Sequence, residues 1–246
     1  MRNKLSLLPL LLVLATGVCW AGEPTTDAQT TAGIQSRIYH AQVYKYGDVQ
    51  VTYANGVATL TGTVDNLGSK LDAEKAARKT HGVSSVVDNI QVRADDVTEA
   101  QMLEKARHEI VTYPYYGIFD NLELQAQGDT LVVSGQVTQP SKKTDIGNIL
   151  TRVKGVAAVQ NNLEVLPTSM FDDRLRLAVA RAIYGDPFFT YYAHQALPPI
   201  HIIVKNGNVT LEGVVASALD RTKAYMAASR AGLAFSVVDN LRVVKS

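Results

Sequence analysis

Two short tracts carry the side chains of this 246-residue chain best suited to meeting a ligand. One is Tyr113-Pro114-Tyr115-Tyr116-Gly117-Ile118-Phe119. The other is Pro187-Phe188-Phe189-Thr190-Tyr191-Tyr192. With 11 Tyr, 5 Phe and 1 Trp in the chain, Tyr113, Tyr115, Tyr116, Phe119, Phe188, Phe189, Tyr191 and Tyr192 are nearly half of all its aromatics. Exposed, such rings offer flat apolar faces with a polar tip, which suits lipid headgroups or a partner protein. Folded down, the same rings would cap a small core. These eight are the candidate binding residues.

Other reactive groups are sparse. His40, His81, His108, His194 and His201 include no pair at His-x-x-x-His spacing. His194 and His201 could approach each other across a loop, but two ligands do not make a zinc site. The sequence has no Gly-x-Ser-x-Gly elbow and no phosphate-cradling Gly-rich loop. Asp95-Asp96 and Asp172-Asp173 lie at helix starts, where a carboxylate complements the helix dipole. No catalytic residue, metal site or cofactor is expected, and an enzyme is the least favoured class.

The apolar share of 46% with 19% charged residues describes a soluble globular chain. A net charge of +1 argues against nucleic acid as a partner. Near the N-terminus, Arg2 and Lys4 precede an apolar run from Leu5 to Val18, shorter than the roughly 20 residues that span a bilayer. Cys19-Trp20-Ala21 follows, with small residues at both cleavage-specificity positions. The expectation is a signal peptide over 1–21, cleaved after Ala21. Lipidation at Cys19 is a rival, weakened because Thr16-Gly17-Val18 departs from the usual Leu-Ala-Gly-like triplet. An uncleaved anchor is the third reading. Removal of 1–21 takes away the only cysteine, and residues 22–29 read as a flexible lead-in.

The rest is one unit written three times. Asn55-Gly56-Val57-Ala58-Thr59-Leu60-Thr61-Gly62-Thr63-Val64 returns as Gly128 to Val137 and as Asn206 to Val215. Gly62, Gly135 and Gly213 correspond at offsets of 73 and 151 residues, and so do Asn89, Asn162 and Asn240. The units run 30–94, 96–167 and 169–245. A residue recurring in all three is most simply structural.

Each unit predicts the same elements. Alternating apolar residues flank an Asn-Gly or Gly-Asp turn, the pattern of a hairpin with one buried face. Ala73, Ala76, Ala77 and Thr80, with their counterparts from Ile146 and Ala224, follow helical spacing. Gly82, Gly155 and Gly232 lie just past that helix, and a Val-rich strand closes the unit. A further helix precedes each hairpin, with Thr98-Glu99-Ala100-Gln101 as a capping box. The expected class is α+β: three α-β-β-α-β modules, each with a small mixed three-stranded sheet and two helices.

That order, with Asn206 to Val215 and Gly155 to Val165 as its clearest phrases, resembles the BON domain, named for bacterial osmotically inducible and nodulation proteins. The resemblance spans nearly all of the chain beyond residue 29. Gly128-Asp129 replaces Asn-Gly in the second copy, Leu233 takes the slot of Gly82, and the third copy has extra loop around 185–199. It implies a non-catalytic, periplasmic or membrane-associated module, with phospholipid or envelope proteins as partners and an osmotic-stress setting. The rival expectation is a periplasmic protein-interaction scaffold without lipid contact. The sequence carries no signal for oligomeric state.

Overall fold

A computed structural model describes residues 26–94, 97–232 and 234–244. The expected signal peptide, Cys19, Asp95-Asp96 and Leu233 lie outside the described residues. Among the described residues no helix is long and apolar enough to cross a membrane.

The first unit comprises α1 (Asp27–His40), β1 (Gly47–Ala54), β2 (Val57–Val64), α2 (Leu67–Arg78) and β3 (Ser85–Val92). The second comprises α3 (Glu99–Val111), β4 (Asn121–Gln127), β5 (Thr130–Val137), α4 (Pro140–Thr151) and β6 (Ala158–Val165). In the third, α5 (Met170–Tyr184) leads through the short α6 (Thr190–Ala193) to β7 (Ile200–Lys205) and β8 (Asn208–Val215). Then come α7 (Ala218–Arg230), β9 (Ser236–Asp239) and β10 (Arg242–Val243). The fold is α+β, in three repeated modules. Each sheet has the middle strand pairing antiparallel with the first strand and parallel with the third. In the third unit that last strand is two pieces, β9 and β10, both on β8.

Local chemistry accounts for these elements. Thr26 with Gln29, Thr98 with Gln101, and Ser217 with Asp220 close capping boxes on α1, α3 and α7. The segment 22–29 was expected to be flexible; its last four residues instead form this cap and the first turn of α1, because Gln29 returns a bond to the Thr26 backbone. Asn55-Gly56 and Asn206-Gly207 turn with positive φ at both residues, as a two-residue hairpin loop with native twist requires. Each unit has its own core. In the first, Ile34 and Ile38 of α1 and Ala73 and Ala77 of α2 pack on Val51, Leu60 and Ile90. Alanine at the helix positions lets α2 approach the sheet closely.

The mid-strand glycines have a steric cause. Gly62, Gly135 and Gly213 hold φ of +125°, +115° and +117°. A Cβ there would stand 2.1, 2.1 and 1.9 Å from the carbonyl oxygens of Asp48, Asn121 and Pro199. The recurring asparagine acts differently: Asn240 donates to Glu212 at 2.7 Å, and Asn89 and Asn162 point outward. Its preceding neighbour makes the recurring contact. Asp88, Asn161 and Asp239 each accept the backbone N–H of the residue two further on, Ile90, Leu163 and Leu241, at 2.9, 3.3 and 3.0 Å.

Candidate binding surface

The eight aromatics lie in the loops after α3 and α5, and the structure divides them. Phe189 is fully buried in the third core, and Tyr192 beside it is buried with its hydroxyl donating to Asp220 at 2.8 Å and accepting from Ala216 N at 2.7 Å. These two rings seal the end of the core where β8 passes into α7. Phe188 and Tyr191 turn outward at 38% and 78% exposure, each edge-on to its buried neighbour, with Lys223 Nζ 4.5 Å from the Phe188 centroid. The alternation follows from the tight helical turns at 187–193, which place adjacent residues on different sides.

The loop after α3 divides similarly. Tyr113 donates to Asp145 at 2.6 Å, and burial together with that carboxylate pushes its phenol up to about 12. Tyr115 stands out at 69% exposure, edge-on to Tyr113. Tyr116 and Phe119 turn to the third unit: Tyr116 stacks on His201, and Phe119 packs against the third core. Between them the Ile118 carbonyl accepts the Ile202 backbone N–H at 2.7 Å. The loop is therefore also a joint between modules.

Asp120 secures that joint. It is fully buried and accepts from Thr138 N at 2.9 Å, from Gly117 N at 3.2 Å and from Lys142 Nζ at 2.7 Å. Facing it, burial lowers the His201 pKa, opposed by the carbonyls of Asp120 and Gly117 and the carboxylates of Asp120 and Glu212. The first two units meet elsewhere. Gly155 N donates to Asp65 O, Leu67 N donates to Val156 O, both at 2.8 Å, and Arg152 pairs with Asp72 at 2.6 Å.

Of the paired carboxylates, Asp172 accepts Asn206 N and Gly207 N at 2.9 and 2.8 Å and so holds a hairpin turn. Arg176 beneath pairs with Asp173 and donates to Val204 O at 2.8 Å. Glu99 holds Gly128 N in the second unit in the same way, at 2.7 Å. Among the described residues, no three of His, Cys, Asp and Glu converge as metal ligands.

Two exposed aromatic pairs lie outside the eight candidates. Phe171 stacks on Phe235 at 5.8 Å, with Phe235 78% exposed beside Gly207. Tyr39 stacks on Tyr44 at 4.8 Å in the first unit, both exposed. A signal for Phe235 existed: its repeat counterparts are Ser84 and Ala157, so the ring breaks the pattern.

These features define a tandem array of small α+β modules with exposed aromatic rings, in which Asp120, Asp172 and Glu99 are engaged in turns and in the joint. The chain belongs to the BON domain family, whose model matches residues 26–94, 104–167 and 172–245. Among curated proteins, none matches this chain in sequence. Of solved structures, the C-terminal domain of CdsD, the structural protein of the type III secretion system of Chlamydia trachomatis, is similar at 16% identity and TM-score 0.24, over 85% of this chain and 96% of that one. A second structure of CdsD gives 15% identity and TM-score 0.26, over 87% and 93%. Similarity at this level assigns neither fold nor function to this chain.

Proposed function

We propose that this chain is a non-catalytic binding protein of the bacterial envelope, exported with cleavage after Ala21, that contacts phospholipid surfaces through Tyr115, Phe188 and Tyr191. Family membership supports the envelope setting and the absence of catalysis. The observation that carries the contact is the division of the tandem rings. Phe189 and Tyr192 are anchored in the core and hold Phe188 and Tyr191 outward. Anchored rings lose little side-chain entropy on contact, and Lys223 beside Phe188 adds a cation where an anionic headgroup would lie. Co-sedimentation of the protein with phosphatidylglycerol vesicles tests the reading. Retention in the supernatant, with capture instead of a defined envelope protein, would replace it with a protein scaffold. A native N-terminus at Gly22 tests the export.

A further inference from the structure

The three copies act as controls for one another: what recurs is structural, and what one copy alone carries needs another cause. One such feature is a groove of about 610 Å³ between α1 and α2. Arg37 and His40 of α1 and Lys75 and Lys79 beside or in α2 line it, with Asp72 as its one carboxylate among the described residues. Asp72 is already taken, by Arg152 of the second unit at 2.6 Å. The joint between the first two units thus neutralises the groove's carboxylate and leaves its cations in excess.

The buried Ile34 and Ile38 of α1 correspond to Ala106 and Ile110 of α3 and to Val179 and Ile183 of α5. The helices after the hairpins keep the offsets of the mid-strand glycines. Where the first unit has Arg37, His40 and Lys75, the second therefore has Glu109, Thr112 and Asn148, and the third has Ala182, Gly185 and Met226. Only Lys79 returns as a cation, in Arg152 and Arg230, at the helix end where the macrodipole favours one. The last turn of α4 has no basic residue, so a helix at this place does not need the Lys75 charge.

The groove's cations are also unmatched. Elsewhere in the unit Lys70, Arg78 and Arg93 pair with Asp88, Glu74 and Asp65. Among the described residues, the exposed Arg37, Lys75 and Lys79 side chains meet neither a carboxylate nor a hydrogen-bond acceptor. Lys75 and Lys79 stand four apart, a spacing that sets like charges side by side and destabilises a helix.

We infer that this groove is a binding site for a phosphate monoester. A single carboxylate is matched within the structure by Arg152 alone; three further cations call for an anion with more charge and more oxygens. A phosphate monoester carries about −1.5 to −2 near neutral pH and three acceptor oxygens. The Arg37 guanidinium offers a fork for two of them, and the lysines add point charges. The groove's volume lies within the roughly 300–1,000 Å³ of small-molecule sites, so the organic remainder of the ligand has room beside the phosphate. The site lies in the first unit, apart from Tyr115, Phe188 and Tyr191, and the inference does not rest on the lipid reading.

Inorganic phosphate, titrated into the purified protein at constant ionic strength against chloride and followed by NMR, is the probe. Backbone signals of residues 36–41 and 72–79 should shift saturably. Arg37→Gln/Lys75→Gln/Lys79→Gln should weaken binding about tenfold or more. Arg174→Gln/Arg181→Gln/Arg230→Gln removes the same charge from exposed positions of the third unit and should leave binding intact. Unchanged circular dichroism certifies the fold of each variant. Wild-type protein that does not bind phosphate overturns the inference, as does binding that survives the first variant or falls equally in the second. Co-sedimentation with phosphatidic acid vesicles, which display a monoester, identifies the ligand's source. Binding lost in the groove variant while phosphatidylglycerol vesicles still bind supports a lipid monoester. Phosphatidic acid binding equal in wild type and groove variant, with inorganic phosphate binding lost, supports a soluble phosphate compound. Equal loss on both kinds of vesicle would reduce the groove to general charge attraction and overturn the inference.

Discussion

The ring of Tyr116 lies over the ring of His201, centroids 5.7 Å apart and planes 27° apart, and this stack spans the joint between the second and third modules. Nδ1 of His201 is buried without a hydrogen-bond partner among the described residues. Burial of the ring favours its neutral form, against the carbonyls and carboxylates that face it.

That preference has a sign. Burial lowers the His201 pKa below its ordinary 6.5, so the unfolded chain takes up a proton before the folded one does. Its contribution to stability is complete above pH 6.5 and declines as pH falls from there toward the folded-state pKa. Asp120, Glu212 and the carbonyls of Gly117 and Asp120 face the ring and limit the effect. Thermal unfolding between pH 7.5 and 5 should show Tm falling, and His201→Phe should flatten that fall. An equal slope in the variant would exclude His201 as the cause.

Asp120→Ala should loosen the same joint. It strands the Lys142 ammonium, whose side chain is itself largely buried, and frees Gly117 N and Thr138 N. Removing one partner of a buried pair costs about 3–5 kcal/mol. Urea unfolding should show that loss, with protease sensitivity appearing in residues 112–120 first.

Serine substitution should separate the adjacent rings by role. Phe189→Ser or Tyr192→Ser opens the third core and should cost about 3–5 kcal/mol, visible in the unfolding midpoint. Phe188→Ser with Tyr191→Ser should leave that midpoint within about 0.5 kcal/mol while lowering vesicle co-sedimentation. Equal destabilisation by both pairs would contradict the division of rings.

Gly135→Ala should be destabilising out of proportion to one methyl group. The new Cβ meets the backbone oxygen of Asn121 at 2.1 Å, and φ of +115° strains any other residue. A cost of about 2–4 kcal/mol is expected in denaturant unfolding. Gly117→Ala, with open space around it, serves as the mild control.

The modules were legible in the sequence because three copies superpose hairpin turns, helix spacing and the strained glycines. Gly62, Gly135 and Gly213 read as structural from recurrence alone, and the carbonyl contacts supply the reason. Which rings face outward was not legible. Phe188 and Phe189 are neighbours of one type, and only the path of a loop inserted in the third copy separates them. The contact of Ile118 with Ile202 was equally hidden, since it joins residues of different modules with no local pattern to announce it. The edge bonds of Asp88, Asn161 and Asp239 lie one position before the recurring asparagines, where Asp in two copies and Asn in the third form no invariant pattern and only the backbone geometry shows the shared contact.

Those edge bonds bear on how such a chain can arise by duplication at all. Tethered sibling modules meet at effective concentrations on the order of millimolar, and near-identical strands at that concentration can trade places during folding. A carboxylate or amide that occupies its own strand's outward N–H travels with every copy of the gene segment. Each new module thus brings with it a block at one point of that edge, which disfavours fusion of its sheet with a sibling's.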